Sequence, residues 1–202
     1  MIYVTGDTHG ALHREKLDAT GWPEGQTLTR DDCVVVCGDF GGPAHVIPGH
    51  PHVIHLMRGH VYDLPVNAAE TISVLAMGGA RSTDRAWRVE GESWWAREML
   101  SDKEYDRCTA SLAERNWCVD YMLTHELLAD LRMHALDWRS YAELASGADP
   151  LSNYLQWVYD TLNREALRMW YAGHYHVDKM VAEKVRVLFN DVVALGHTSR
   201  RG

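Results

Sequence analysis

The sequence predicts an α/β (α+β) chain folded as a single domain over residues 1–202, and three observations predict it. Short apolar runs rich in β-branched residues alternate with stretches of helical periodicity, the pattern of sheet layers covered by helices. With 202 residues, 46% of them hydrophobic, the chain is long enough for one buried core and too short for two comfortable domains. No repeat, low-complexity tract or linker rich in Pro, Gly and Ser divides it.

Taken in order, the first strand is expected at Ile2–Thr5, where Ile, Tyr, Val and Thr all favour a pleated surface. The segment from Gly21 to Asp32 holds Pro23, Gly25 and several polar residues and reads as a loop. Further strands are expected at Cys33–Cys37, Val53–Met57, Ile72–Met77, Val119–Leu123, Arg168–Ala172 and Val185–Phe189. Helical spacing is clearest from Lys103 to Asn116, from Leu127 to Met133 and on to Leu144, and from Leu151 to Leu167.

Twenty Lys and Arg against twenty-eight Asp and Glu give a formal net charge of -8, which opposes non-specific attraction to a phosphate backbone. The longest apolar stretches fall far short of the roughly 18 residues of a membrane helix. Met1-Ile2-Tyr3-Val4-Thr5 carries no cationic leader and no cleavage-site pattern. The expectation is a cytoplasmic protein with no membrane and no non-specific nucleic-acid partner. Cys33, Cys37, Cys108 and Cys118 read as core thiols, because a chain with a core of this size does not need bridges. The unusual number is twelve histidines.

Four of the expected strands run into chemistry. Ile2–Thr5 continues into Gly6-Asp7-Thr8-His9, and Val34–Cys37 continues into Gly38-Asp39. Val119–Leu123 ends in Thr124-His125-Glu126, and Met169–Ala172 ends in Gly173-His174-Tyr175-His176. If these strands share a sheet edge, their C-terminal ends converge on one crevice, the usual place for a ligand in an open α/β sheet. Two carboxylates meeting there would repel each other and lose their hydration, and a bound cation removes both problems. Mixed oxygen and nitrogen donors suit divalent first-row metals, Mn, Fe, Co, Ni or Zn, better than Ca or Mg. The adjacent glycines are expected to let the backbone turn sharply at the strand ends.

At these residues the sequence resembles the calcineurin-like metallophosphoesterase superfamily, whose signature is Asp-x-His, Gly-Asp, Gly-Asn-His, a lone His and Gly-His-x-His. Asp7 and His9, Gly38-Asp39, His125 and Gly173-His174-Tyr175-His176 match four of the five blocks in order. Three further pieces, His55-Leu56-Met57-Arg58-Gly59, Gly78-Gly79-Ala80-Arg81-Ser82 and Ser93-Trp94-Trp95, look like a bacterial and phage-type branch. The resemblance implies a four-layer sandwich of two mixed β-sheets flanked by helices. It implies that Asp7, His9, Asp39 and His176 hold one metal and Asp39, His125 and His174 a second, with Asp39 bridging. Two divalent ions follow, manganese favoured, acting in hydrolysis of a small or exposed phosphomonoester or phosphodiester. Such a pair can activate a water in line with phosphorus and neutralise the phosphoryl oxygens. Asp39 and His125 would be catalytic.

The chain departs from the family at one block. None of its five asparagines precedes a histidine, and only fifteen residues separate Asp39 from His55. A strand–helix unit does not fit in that space, since a βαβ unit takes about 30 residues. With the block go an Asn ligand and the His that protonates the leaving oxygen, so general-acid catalysis is expected to be weakened. Two readings of Pro43–His52 stand: His50 or His52 supplies the absent nitrogen, with His50 as the catalytic candidate, or the segment is a solvated loop. Arg58, Arg81 and Arg85, with Arg88 beside them in sequence, are candidates to grip phosphate, because a guanidinium fork matches phosphate oxygens in pairs. The rival expectation is a catalytically degenerate relative that binds a metal or a phosphorylated ligand without turnover. Loss of an internal strand would also bare a sheet edge, which pairing in a homo-oligomer would cover.

Overall fold

A computed structural model describes residues 1–9, 14–39, 56–81, 87–92, 94–136 and 149–196. It is a mixed α/β structure with two mixed sheets and a few helices. The first sheet has the order β2-β1-β9, with β1 (Ile2–Thr5) parallel to β2 (Cys33–Val36) and antiparallel to β9 (Val193–Leu195). The second has the order β3-β4-β5-β6-β8-β7, built from β3 (His60–Asn67), β4 (Glu70–Met77), β5 (Tyr121–Thr124), β6 (Met169–Ala172), β7 (Lys179–Ala182) and β8 (Val185–Val187). Its four central strands, β4, β5, β6 and β8, are parallel, and antiparallel strands close both edges.

Alternation along the central strands assigns their faces. Ile72 and Val74 of β4, Tyr121 and Leu123 of β5 and Tyr171 of β6 point toward the small sheet, where Ile2, Val4, Cys37, Leu188 and Leu195 meet them. Leu75 and Met77, Met122, and Trp170 and Ala172 point the other way, onto Cys108 and Leu112 of α1 (Asp102–Glu114) and Leu151, Leu155 and Val158 of α3 (Pro150–Thr161). Each such Leu or Val, fully buried, stabilises the fold by roughly 1.5–3 kcal/mol before packing effects. Both helices start on strong signals. Ser101 and Glu104 form a reciprocal capping box on α1, and the Asp149 carboxylate accepts from the N–H groups of Leu151 and Ser152 ahead of Pro150 at the first turn of α3.

Several expectations shift. Arg14–Leu17 and Pro23–Thr27 form 3-10 turns, and Trp22, just ahead of the second, packs edge-on against Tyr3 of β1 at 5.0 Å. Leu127 and Leu128 are buried but lie outside any helix, and the helical part is a 3-10 turn, Ala129–Leu131, followed by the short α2, Arg132–Ala135. α3 stops at Thr161, six residues early, because the Asn163 side chain accepts the Glu165 N–H and offers the backbone a turn instead. Leu56 and Met57 lie outside any strand, and Val53–His55 and residues 137–144 lie outside the described residues. β3, β7 and β9 are additions. β3 carries Pro65 in its interior, which an edge strand tolerates because a missing N–H there breaks no ladder on its open side. No helix among the described residues is long and apolar enough to cross a membrane.

Candidate metal centre

The four strand ends come from two sheets rather than one. β1 and β2 deliver Asp7 and Asp39 from the small sheet, and β5 and β6 deliver His125 and His174 from the large one. The loops after β1 and β2 are tied together, since the N–H groups of Thr8 and His9 both donate to the Asp39 carbonyl at 3.0 and 2.8 Å. The sheets are tied to each other at the same place, where the His174 N–H donates to both Asp7 carboxylate oxygens at 3.1–3.2 Å.

The glycines serve close approach more than sharp turning. A Cβ on Gly6 would lie 1.9 Å from the Leu188 carbonyl oxygen, and one on Gly173 would lie 1.9 Å from that of Cys37 and 2.6 Å from Asp7 Oδ1. Only residues without a side chain let the two backbones touch there.

Asp7 is the centre of the cluster, 1% exposed. Its Oδ2 faces His176 Nε2 at 3.3 Å and His9 Nε2 at 3.8 Å, and its Oδ1 faces His125 Nε2 at 3.5 Å. His9 Nε2 and His176 Nε2 lie 2.8 Å apart, and His9 Nδ1 lies 3.9 Å from an oxygen of Asp39. Two groups therefore have ligand atoms all within 4.8 Å of one another: Asp7, His9 and His176, and Asp7, Asp39 and His125. These Asp and His groups could hold a metal ion. Asp7, not Asp39, belongs to both, because Asp7 is buried between the sheets whereas the Asp39 side chain is 58% exposed at the rim. His174 joins neither group. Its ring stands edge-on to His125 at 4.9 Å and its Nε2 lies 3.9 Å from Glu126 Oε2.

Burial opposes ionisation of Asp7, but the His125 and His176 imidazoles facing its oxygens, together with the His174 N–H, outweigh it and hold the carboxyl far below the usual range. Burial pulls the His125 imidazole down, and Asp7 more than restores it, so His125 ends above its ordinary value. Burial depresses His174. Three of the histidines, His9, His174 and His176, have positive φ angles of 45°, 70° and 51°, a backbone region that costs a side-chain-bearing residue roughly 1 kcal/mol or more.

Two supports lie behind the cluster. The Lys16 ammonium donates to the carbonyls of Gly6 at 3.1 Å, Asp7 at 2.6 Å and Phe189, and the Phe189 ring stacks on His176 at 4.7 Å. The Asp178 carboxylate accepts the N–H groups of Phe189, Asn190 and Asp191 at 2.8–2.9 Å and fixes that platform. Sequence reasoning missed Lys16, Asp178 and Glu126. A carboxylate between His125 and the apolar pair Leu127-Leu128 was the available signal for the last.

Arg58 Nη1 donates to the Arg97 carbonyl at 2.9 Å and lies 4.0 Å from Glu104, so this guanidinium is engaged in holding the loop before α1. Arg81 is exposed, and Arg85, His50 and His52 lie outside the described residues. Trp94 and Trp170 are buried, whereas Trp95 and Trp157 are exposed. His60, at the start of β3, has a buried Nε2 without a hydrogen-bond partner and was not singled out by its sequence.

Compared with family models, curated proteins and solved structures, the chain gives no match.

Proposed function

We propose that this protein is a metal-dependent phosphoester hydrolase of the metallophosphoesterase type. One observation carries the reading: Asp and His side chains from the ends of four strands in two sheets gather into two donor groups that share Asp7. The residues fit divalent ions on physical grounds. His9 Nε2 and His176 Nε2, 2.8 Å apart, can share only one proton, and His125 Nε2 is buried without a hydrogen-bond partner. Nitrogen and carboxylate donors in this mixture suit first-row metals, manganese among them.

Bound ions would supply Lewis acidity toward a phosphoryl oxygen and a lowered pKa for water. The chain's own residues do the rest. Asp7, His9 and His176 would hold one ion, and Asp7, Asp39 and His125 the other. Asp39, at the exposed rim, is the ligand nearest to an arriving substrate. Phe189 braces the exposed His176 ring, and Lys16 fixes the carbonyls on either side of the Asp7 turn. No described side chain is assigned the leaving-group proton, a role typically worth about 10²–10⁴-fold. Aryl phosphates are therefore expected to be cleaved far faster than alkyl phosphates.

The experiment is metal counting by elemental analysis together with a phosphatase assay in added Mn across leaving groups of graded pKa. Two ions per chain, Mn-stimulated turnover and a steep leaving-group dependence are expected, with Asp7→Asn losing both ions. One ion and no stimulated turnover would replace the hydrolase with a metal- or phosphoester-binding relative, the reading that the missing Gly-Asn-His block favours. A flat leaving-group dependence would refute the weakened general acid.

A further inference from the structure

Glu126 follows His125 directly, is 1% exposed, and has its two carboxylate oxygens in different circumstances. Oε1 is fully engaged: it accepts the Leu127 N–H at 2.7 Å and the Tyr175 hydroxyl, whose oxygen in turn accepts from Arg132 Nε at 3.1 Å. Burial first, and then the Glu126 charge, push the Tyr175 hydroxyl far up, so it remains a donor. Held at Oε1, the carboxylate has a fixed plane. Oε2 is buried and has no hydrogen-bond partner. A buried acceptor left in that state costs roughly 1–3 kcal/mol, and more when it is charged. The nitrogen facing it is His174 Nε2, 3.9 Å away.

His174 is held from its other side as well, with its backbone N–H on Asp7 and its ring edge-on to His125. We infer that Glu126 is a positioning residue for His174: across the 3.9 Å gap the charge on Oε2 favours the imidazole proton on Nε2 and so leaves Nδ1 as the unprotonated nitrogen open to a cation. A carboxylate behind a histidine is a recurrent way of fixing tautomer and ring orientation at metal sites. A purely structural Glu126, capping the turn at Leu127, would need Oε1 alone. The inference rests on the metal-binding reading above and gives His174, which joins neither donor group by itself, a place in it.

The first test needs neither metal nor variant. In metal-free wild-type protein labelled with ¹⁵N-histidine, long-range ¹H–¹⁵N correlation at pH 8 is expected to show His174 protonated at Nε2 and bare at Nδ1. Protonation at Nδ1, or an even mixture of tautomers, overturns the inference. The second test is Mn titration by calorimetry. Glu126→Gln is expected to lose about 10–100-fold in affinity for one of two ions, with the other ion and the metal-free melting temperature unchanged. Tyr175→Phe, which frees the carboxylate plane, should weaken the same ion by a smaller factor and serves if Glu126→Gln does not fold. A metal-free destabilisation with unchanged affinity makes Glu126 structural and overturns the inference alone, as does a wild type that binds one ion. A wild type that takes up no Mn overturns the proposed function and this inference with it.

Discussion

Lys16 gives the sharpest test of the site's architecture, because its sign is fixed by where the charge sits. The residue is 7% exposed, with its ammonium on three backbone carbonyls beneath the Asp7 turn. Burial depresses its pKa, and the nearby Asp7 and Asp178 recover only part of the loss, so it falls from 10.5 to about 8. At ~1.4 kcal/mol for each pH unit, that fall is worth about 3 kcal/mol. Below pH 8 both folded and unfolded chains hold the proton, and the folded chain carries the whole penalty. Between pH 8 and 10.5 the folded chain sheds the proton first, the unfolded chain binds more protons, and unfolding becomes harder as pH rises. Lys16→Met has no such proton. Urea denaturation in EDTA at pH 7, 8.5 and 10 should show wild-type stability rising relative to Lys16→Met by about 2–3 kcal/mol across the range. A constant difference, or one that shrinks toward pH 10, would mean that the ammonium is not desolvated behind Asp7.

Three further outcomes follow from the same geometry. Gly173→Ala places a methyl group against the Cys37 carbonyl and Asp7, so a stability loss of about 1–3 kcal/mol or more with loss of metal uptake is expected; an unchanged melting temperature would show that the sheets do not touch there. The four cysteines are free, and burial raises the Cys37 thiol strongly and that of Cys108 to about 11. A thiol reagent at pH 8 should modify the half-buried Cys33 and Cys118 in the native protein and reach Cys37 and Cys108 only in denaturant. For His9→Gly, relief at a φ of 45° should leave the metal-free protein at least as stable as the wild type while one ion is lost; a large metal-free destabilisation would instead make His9 a packing residue.

What the sequence discloses here is local. Ile2–Thr5, Val34–Val36 and Met169–Ala172 are legible as strands because their neighbours are unambiguous, and the Asp or His that follows each is legible as chemistry. Which strands share a sheet is not local information, and the four ends divide between two sheets because β1 pairs with β2 while β5 pairs with β4 and β6. The same limit explains the bridging carboxylate. Asp7 and Asp39 both follow a Gly after an apolar run, and only the docking of the sheets buries the first and leaves the second at the rim. β3 was hidden by Pro65 and the polar residues of an edge strand, and β7 and β9 by their length of three or four residues. Glu126 and Lys16 look like surface charges in sequence; their burial is a property of the assembled pair of sheets.

The energetics of the cluster argue against a purely structural origin for it. A sequence selected only to join two sheets would place Gly or Asn at the left-handed positions now held by His9, His174 and His176, since those residues adopt that backbone at little cost. It would also pair Glu126 Oε2 and His125 Nε2, two buried polar atoms that lack hydrogen-bond partners. Among the described residues, strained backbone and unsatisfied buried polar atoms occur together where Asp and His converge, and both penalties are offset if a cation is bound. Docking of the sheets builds the donor set, because one of the links between them is the Asp7 carboxylate taking the His174 N–H. An ion held by Asp7 would therefore tighten the contact between the sheets as well as prepare the site. Metal-induced stabilisation should accordingly be lost in Gly173→Ala, where the sheets are forced apart, even though every donor residue remains in the chain.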